Sequence, residues 1–434
     1  MLLIIGGMRV ANPSFSNPSF VAYGRTLMGI KLKRLKDRRI IILLVLIACA
    51  SPYLFFTLAT LSKLPSIVEH IRHELISNQF GTDNLNDLQW WLSNNGSFAS
   101  FNGSPLAWGV NKKQAIEGVD LNIGDDVHKI TQKLPLMIAV IDTGVDIAHP
   151  AISDGIFVNS NEISDDGIDN DANGYIDDYM GWDFYDNDNS ITSKSKEEMI
   201  HGTASVGLLV GSDKVNGYGS LLSQYDINVL CIRVLGGKTN SGNLTNIADA
   251  IQYANTMGVK ICCMAINTDI NSNYLKDVMS NSNMLFVVSA GNEGYDLNKF
   301  KDNYPTHYRL PNVISVADLR CDGNLSETSN YGNLFVDIAA PGTNILCAKS
   351  GGGYEFYSGT SLGVYHVVSE AALIYINSQE VLTALNIKNI ILQNVTPLQA
   401  LHNKLITSGI PNVENAINAV CQSGTRERNE YDKI

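Results

Sequence analysis

Six short runs of almost wholly apolar residues recur along the C-terminal part of this chain, at 136–141, 227–235, 259–266, 284–290, 313–316 and 335–339. A strand with one wet face alternates apolar and polar residues, so runs apolar at nearly every position imply strands covered on both sides. Between two of them, 243–257 has helical spacing. Ile247, Ala250, Ile251 and Ala254 share one face, and Gly258 stands where a helix would stop. Apolar strands separated by amphipathic helices predict an α/β protein, with a mostly parallel twisted sheet and helices on both faces. A chain of 434 residues is long enough for one large domain of this kind plus appendages.

The first run ends in Asp142, within Ile138-Ala139-Val140-Ile141-Asp142-Thr143-Gly144-Val145. Open α/β sheets carry their sites at the carboxyl ends of their strands, so this carboxylate stands where chemistry is expected. Far downstream come His201-Gly202-Thr203, at the start of a small, apolar run suited to a buried helix, and Gly359-Thr360-Ser361, opening a helix over 361–377. Singly, each has a plain structural reading: an Asp that caps a turn, a His or Ser that caps a helix. Together they are the acid, imidazole and hydroxyl that turn a weak alcohol into a nucleophile. In that reading Asp142 orients His201, His201 takes the proton, and Ser361 attacks beside the positive end of a helix dipole. A fourth motif, Ser289-Ala290-Gly291-Asn292-Glu293-Gly294, also follows an apolar run. Asn292 is either a turn residue or a donor to the developing oxyanion.

One rival reading uses Gly359-Thr360-Ser361-Leu362-Gly363 as the G-x-S-x-G elbow of α/β-hydrolases, with Glu380 and His402 completing the site. It leaves Asp142 and His201 without a role.

The chain order Asp, His, Ser and the motifs themselves resemble the subtilase (subtilisin-like serine peptidase) family, over roughly residues 86–421. Asn86-Asp87-Leu88-Gln89-Trp90 and Gly118-Val119-Asp120-Leu121 are similar to the lead-in of many bacterial subtilases. Ser329-Asn330-Tyr331-Gly332 and Val336-Asp337-Ile338-Ala339-Ala340-Pro341-Gly342 are similar to loops leading towards the family's serine. The resemblance implies a subtilisin-like fold and a serine endopeptidase that hydrolyses polypeptides through an acyl-enzyme. Asp142, His201 and Ser361 would form its triad, and Asn292 would line its oxyanion hole.

The chain departs from the family's pattern in three places. Ser361-Leu362-Gly363-Val364-Tyr365-His366 stands where Ser-Met-Ala-(Ala/Thr)-Pro-His is usual, and Ala204 replaces the second histidine of His-Gly-Thr-His. Cys263-Met264-Ala265-Ile266-Asn267-Thr268 replaces Asn-Met-Ser-Leu-Gly-Gly, whose glycines let a substrate backbone reach its pocket. Side chains at Asn267 and Thr268 would crowd that approach. The expectation is narrow specificity, with processing of secreted peptides as a role. The alternative is a catalytically weak or inactive pseudopeptidase that binds peptides.

The net charge of −12 argues against a nucleic-acid partner, which calls for a basic stripe. Eleven acidic and no basic residues between 151 and 193 account for nearly all of it. Within that loop, Asp169, Asp171, Asn173, Tyr175 and Asp177 alternate around Gly174, and hard oxygen ligands at this spacing suit a structural Ca²⁺. The pattern resembles the first nine positions of an EF-hand loop, but Met180 stands where the bidentate Glu belongs. Many bacterial subtilases carry a similar run ending, as here, in Gly181-Trp182-Asp183-Phe184. The alternative is a solvated acidic loop. Seven cysteines at 49, 231, 262, 263, 321, 347 and 421 show neither the pairing of a disulfide framework nor a zinc spacing. Cys231, Cys262 and Cys263 read as small buried hydrophobes.

Residues 40–61 are almost continuous hydrocarbon; as a helix they would span about 33 Å, enough for a bilayer core of about 30 Å. Lys31, Lys33, Arg34, Lys36, Arg38 and Arg39 precede them against the single Asp37. The positive-inside rule keeps that basic segment, 1–39, cytoplasmic and sends the chain beyond 61 across the membrane. Three readings stay open: an uncleaved anchor, cleavage after Ala50 giving a secreted product, and a lipoprotein acylated at Cys49. Residues 1–27 carry no readable signal, and Met28 is an alternative start. A short amphipathic stalk at 62–85 would lead to the peptidase domain, and 422–434 reads as a polar tail.

Overall fold

The computed structural model describes residues 84–96 and 115–421, less 126, 128, 129, 133 and 301, and a small antiparallel hairpin pairing Ile4–Ile5 with Met8–Arg9. That hairpin belongs to an N-terminal unit, 1–68; a second unit, 69–434, contains the rest. The apolar segment 40–61, nearly all of the stalk and the tail lie outside the described residues. Among the described residues no helix is long and apolar enough to cross a membrane.

Seven strands make the central sheet. In chain order they are β1 (Leu136–Asp142), β2 (Gly181–Asp183), β3 (Ile227–Arg233), β4 (Ile261–Met264), β5 (Leu285–Ser289), β6 (Val313–Leu319) and β7 (Ile338–Pro341). They lie side by side in the order β7-β6-β5-β4-β1-β3-β2, and every neighbouring pair is parallel. Each of the six apolar runs contributes a strand, though the run at 335–339 pairs only from Ile338 because Phe335 and Val336 donate to Gly332 in a turn. The short edge strand β2 carries only three residues of signal and was not expected from the sequence.

The two-sided burial predicted from continuous apolarity has a direct signature. Along β1, Ile138 and Val140 enter one core cluster while Ala139 and Ile141 enter another, as period-two side chains must. Cys231 and Cys263 join the first cluster and Cys262 the second. All three are buried free thiols, and burial pushes them up, far from the thiolate range.

The first cluster is shared with α1 (Ile200–Val210) and α4 (Thr360–Asn377), the second with α2 (Leu244–Thr256) and α3 (Asn273–Ser280). Helix α2 starts at the Asn243 cap, whose side chain accepts from the Thr245 N–H, and ends before Gly258 at φ +81°. Helix α4 is apolar all round and runs through the core, as such a helix must. Every one of its residues is buried except Ser361. Before α4 comes a hairpin of β8 (Ile345–Ala348) and β9 (Tyr354–Tyr357), and after it α5 (Ala384–Gln393).

Candidate active site

Asp142 is the last residue of β1, at the carboxyl edge of the sheet. His201 is the second residue of α1, and two glycines let that helix start approach closely. A Cβ on Gly202 would lie 2.1 Å from the Gly144 carbonyl oxygen, and Gly144 itself has φ +91°. Hydrogen bonds join the same two segments: Gly202 N–H donates to Thr143 Oγ1 at 3.2 Å, and Asp146 N–H to Thr203 Oγ1 at 3.0 Å. This is why a Thr and a Gly follow both Asp142 and, in reverse order, His201.

The result is a tight pair. His201 Nδ1 lies 2.8 Å from both oxygens of Asp142. The carboxylate also accepts from Thr143 N–H at 2.7 Å, Ser205 Oγ at 3.0 Å and the Tyr365 hydroxyl at 3.1 Å. Burial alone would raise the Asp142 carboxyl, but the imidazole and these donors outweigh it and hold it below its ordinary value. Withdrawal of His201 from water works against its charged form, yet Asp142 outweighs this and raises the imidazole above its ordinary value. The Asp142 side chain is 3% exposed and that of His201 36%, so the ring keeps an edge open to the cleft.

Ser361 lies in the first turn of α4, where helix geometry leaves backbone N–H groups without intrahelical partners. Tyr365, one turn along the same face, reaches Asp142, which directs the Ser361 face of α4 towards the Asp142–His201 pair. Among the described residues no hydrogen bond joins His201 to Ser361, and such bonds commonly close only when substrate is present.

Asn292 sits in the loop after β5. Its Oδ1 accepts from Thr360 N–H at 2.9 Å and from Thr360 Oγ1 at 3.1 Å. A backbone N–H can only donate, so the amide oxygen must face Thr360, leaving the amide N–H₂ to other acceptors beside Ser361. Asp142 thus ends a strand, Asn292 follows one, and His201 and Ser361 each lie in the first turn of a helix.

The cleft beside His201 has a volume of about 430 Å³ and is lined by Leu235, Leu244, Ile266, Asn267 and Thr268 among others. Asn267 is folded back: its amide donates to the Ser289 carbonyl at 2.7 Å, and the Ser289 hydroxyl donates to its Oδ1. Thr268 pairs through both its N–H and C=O with Tyr304, at 3.0 and 2.8 Å. These backbone groups are therefore already committed.

The elbow reading of Ser361 fails. The strand before it, β9, belongs to a separate two-stranded antiparallel sheet, and Glu380 and His402 are both exposed.

The acidic loop differs in detail from its sequence pattern. Glu162, Asp171 and Asp178 each offer an oxygen, all within 4.8 Å of one another. Asp171 is common to this cluster and the expected ligand set, and the Asn173 amide donates to both Asp171 and Asp178. Asp169 accepts instead from the N–H groups of Asn173 and Gly174, and Asp177 from those of Asp166 and Gly167. Asn173 Oδ1 accepts from Tyr175 N–H, and the Tyr175 ring packs against Trp182 and Tyr253. The loop has thus turned two carboxylates inwards to hold its own backbone. Burial raises the Asp178 carboxyl, an effect partly offset by donors from Tyr253, Asn173 and Asn159.

Sequence reasoning also missed Arg233, at the end of β3. Its buried guanidinium binds Asp183 of β2, Asp186 at 2.6 Å and Glu198 at 3.2 Å. Glu198 lies three residues before His201, so one cation fixes the loop that delivers the histidine. An apolar run ending in Arg is an ordinary strand end, and only the fold reveals its three partners.

The seven-stranded parallel sheet and the Asp142–His201 pair at its carboxyl edge define a subtilisin-like α/β fold. The profile of the subtilase family matches residues 135–415, and the chain belongs to that family. It is 29% identical over 334 residues to subtilisin-like protease 1 of Plasmodium berghei (strain Anka), covering 72% of this chain and 53% of that protein. It is 32% identical over 243 residues to the major intracellular serine protease of Bacillus subtilis (strain 168), covering 55% and 68%. The solved subtilase cytotoxin SubAB assembly shares the fold, with a TM-score of 0.55 at 21% identity over 70% of this chain and 95% of that one. The chain spans about half the length of the Plasmodium relatives it matches.

Proposed function

We propose that the chain hydrolyses peptide bonds as a serine endopeptidase of narrow specificity. Ser361 Oγ attacks the scissile carbonyl carbon, His201 takes its proton and returns it to the leaving amine, and Asp142 holds the imidazole tautomer. Asn292 and the first-turn N–H groups of α4 donate to the oxyanion. Water then repeats the cycle on the acyl-enzyme. The observation that carries this reading is the Asp142–His201 pair at 2.8 Å, towards which the Tyr365 hydroxyl turns the face of α4 that bears its single unburied residue, Ser361.

Narrow specificity is supported by the Asn267–Ser289 contacts and the Thr268–Tyr304 pairing, which fill and stiffen one wall of the cleft. We assign the peptidase domain to about 86–421. A membrane anchor at 40–61 with its basic flank would hold that domain outside the cytoplasm, where a secreted peptide is a fitting substrate. Glu162 Oε2 is buried without a hydrogen-bond partner, next to two more carboxylates, so this corner suits a cation. Glu162, Asp171 and Asp178 would hold Ca²⁺, which supplies the positive charge that offsets their mutual repulsion.

The test is digestion of a defined peptide library by the full chain and by Ser361→Ala, read by mass spectrometry. Cleavage at a restricted set of sites, lost in the variant, is expected. Equal cleavage by both proteins would refute the assignment of Ser361, and indiscriminate degradation of casein would refute narrow specificity.

A further inference from the structure

We propose that Tyr365 and Ser205 are positioning residues of the catalytic apparatus, two buried hydroxyls that clamp the Asp142 carboxylate in the orientation His201 requires. The inference rests on the roles given above to Asp142, His201 and Ser361. The Tyr365 hydroxyl lies 3.1 Å and Ser205 Oγ 3.0 Å from the same oxygen, Asp142 Oδ2. Both residues are fully buried. Their placement follows a common logic. Ser205 is one turn after His201 on α1, and Tyr365 is one turn after Ser361 on α4. Each helix that brings a reacting group to the site therefore also brings, on the same face, a hydroxyl to the acid. The sequence at 365 is one of the positions where this chain departs from the family, whose proline there has no hydroxyl to offer.

The two donors differ in commitment. A serine hydroxyl carries one proton, and Ser205 Oγ is also 2.8 Å from the His201 carbonyl, so it divides its proton between two acceptors. The Tyr365 phenol has Asp142 as its hydrogen-bond acceptor, and burial keeps it protonated far above its ordinary range. Tyr365 is therefore the more constant of the two.

Donors to a carboxylate spread its charge and make it a weaker partner for imidazolium. The groups facing Asp142 from the flanking elements add no competing charge. Cys231 on β3 and Cys263 on β4 are buried thiols held protonated, and Thr143 contributes a backbone N–H. Arg233, the register neighbour of Asp142 on β3, is engaged by Asp183, Asp186 and Glu198. His201 is the one titrating partner. Removing the Tyr365 hydroxyl should thus make Asp142 more basic, stabilise protonated His201, and move the onset of reactivity to higher pH.

The experiment measures the second-order rate of labelling by an alkyl fluorophosphonate as a function of pH, for the full chain, Tyr365→Phe and Ser205→Ala. For Tyr365→Phe the acid limb should move up by about half a pH unit and the plateau rate should fall several-fold. Ser205→Ala should move it the same way by less, and it keeps the test open if Tyr365→Phe does not fold. A purely structural role would lower the melting temperature and leave the acid limb in place. An acid limb unmoved in the folded variants, with wild type still labelled, overturns the proposal. Wild type that resists labelling altogether sinks the hydrolase reading beneath it, and the proposal with it.

Discussion

Glu370 offers the sharpest quantitative test of the core. It lies in the middle of α4, fully buried, and neither carboxyl oxygen has a hydrogen-bond partner. Burial pushes its carboxyl up from 4.5 to about 8, against a small opposing pull from the Asn412 backbone N–H, which lies outside hydrogen-bond geometry. A group whose folded value is raised favours the fold below its unfolded value, and that advantage is lost as pH rises through the folded one. The gap of about three and a half pH units corresponds to about 5 kcal/mol at about 1.4 kcal/mol per unit, nearly all of it lost by pH 8. Glu370→Gln keeps size and polarity but cannot ionise, so it should gain about 3 to 4 kcal/mol over wild type between pH 5 and pH 8.

The neighbouring His366, one turn earlier, is held at about 3 by burial, so its contribution is present above its unfolded value and falls away in acid. That loss is common to both proteins and cancels in their difference. Urea unfolding at pH 5 and pH 8 measures the gain directly. An advantage of Glu370→Gln that does not grow with pH would mean that Glu370 ionises inside the fold with a partner, and the argument would fail.

Two further outcomes follow from the loops. Arg233→Met should destabilise the protein by about 3 to 5 kcal/mol, because Asp183 is left buried without its cation, and labelling of Ser361 should slow as the His201 loop loosens; a thermal melt unchanged from wild type would contradict this. Chelation with EDTA should lower the melting temperature of wild type but not of Glu162→Gln/Asp171→Asn, and equal sensitivity of both would remove the calcium assignment from that corner.

Much of this architecture was legible in the sequence because two-sided burial leaves an unambiguous trace. Runs such as Val-Leu-Cys-Ile at 229–232 have no polar face to hide, so the sheet could be read strand by strand. The pairing of Asp142 with His201 was suggested by their residue types and chain order, and the structure shows what their flanking glycines are for: Gly144 and Gly202 stand where two backbones nearly touch. What escaped was decided by tertiary contact. The edge strand Gly181–Asp183 is too short for any period, and Arg233 gives no hint of its three carboxylates. In the acidic loop, spacing along the chain pointed to alternate oxygens, but only the fold brings Glu162 from outside the repeat next to Asp171 and Asp178 and lets Asp169 and Asp177 accept from backbone N–H groups. Tyr365 looked in sequence like a lapse from the family pattern, yet it touches the central carboxylate.

The account stands on Ser361 being a nucleophile activated by His201. Mass spectrometry of the full chain after treatment with diisopropyl fluorophosphate tests this most directly. One phosphoryl adduct on the peptide containing Ser361, absent from Ser361→Ala and from His201→Ala, is the predicted result. An unmodified Ser361 in folded protein, or an adduct that forms equally well without His201, would contradict it.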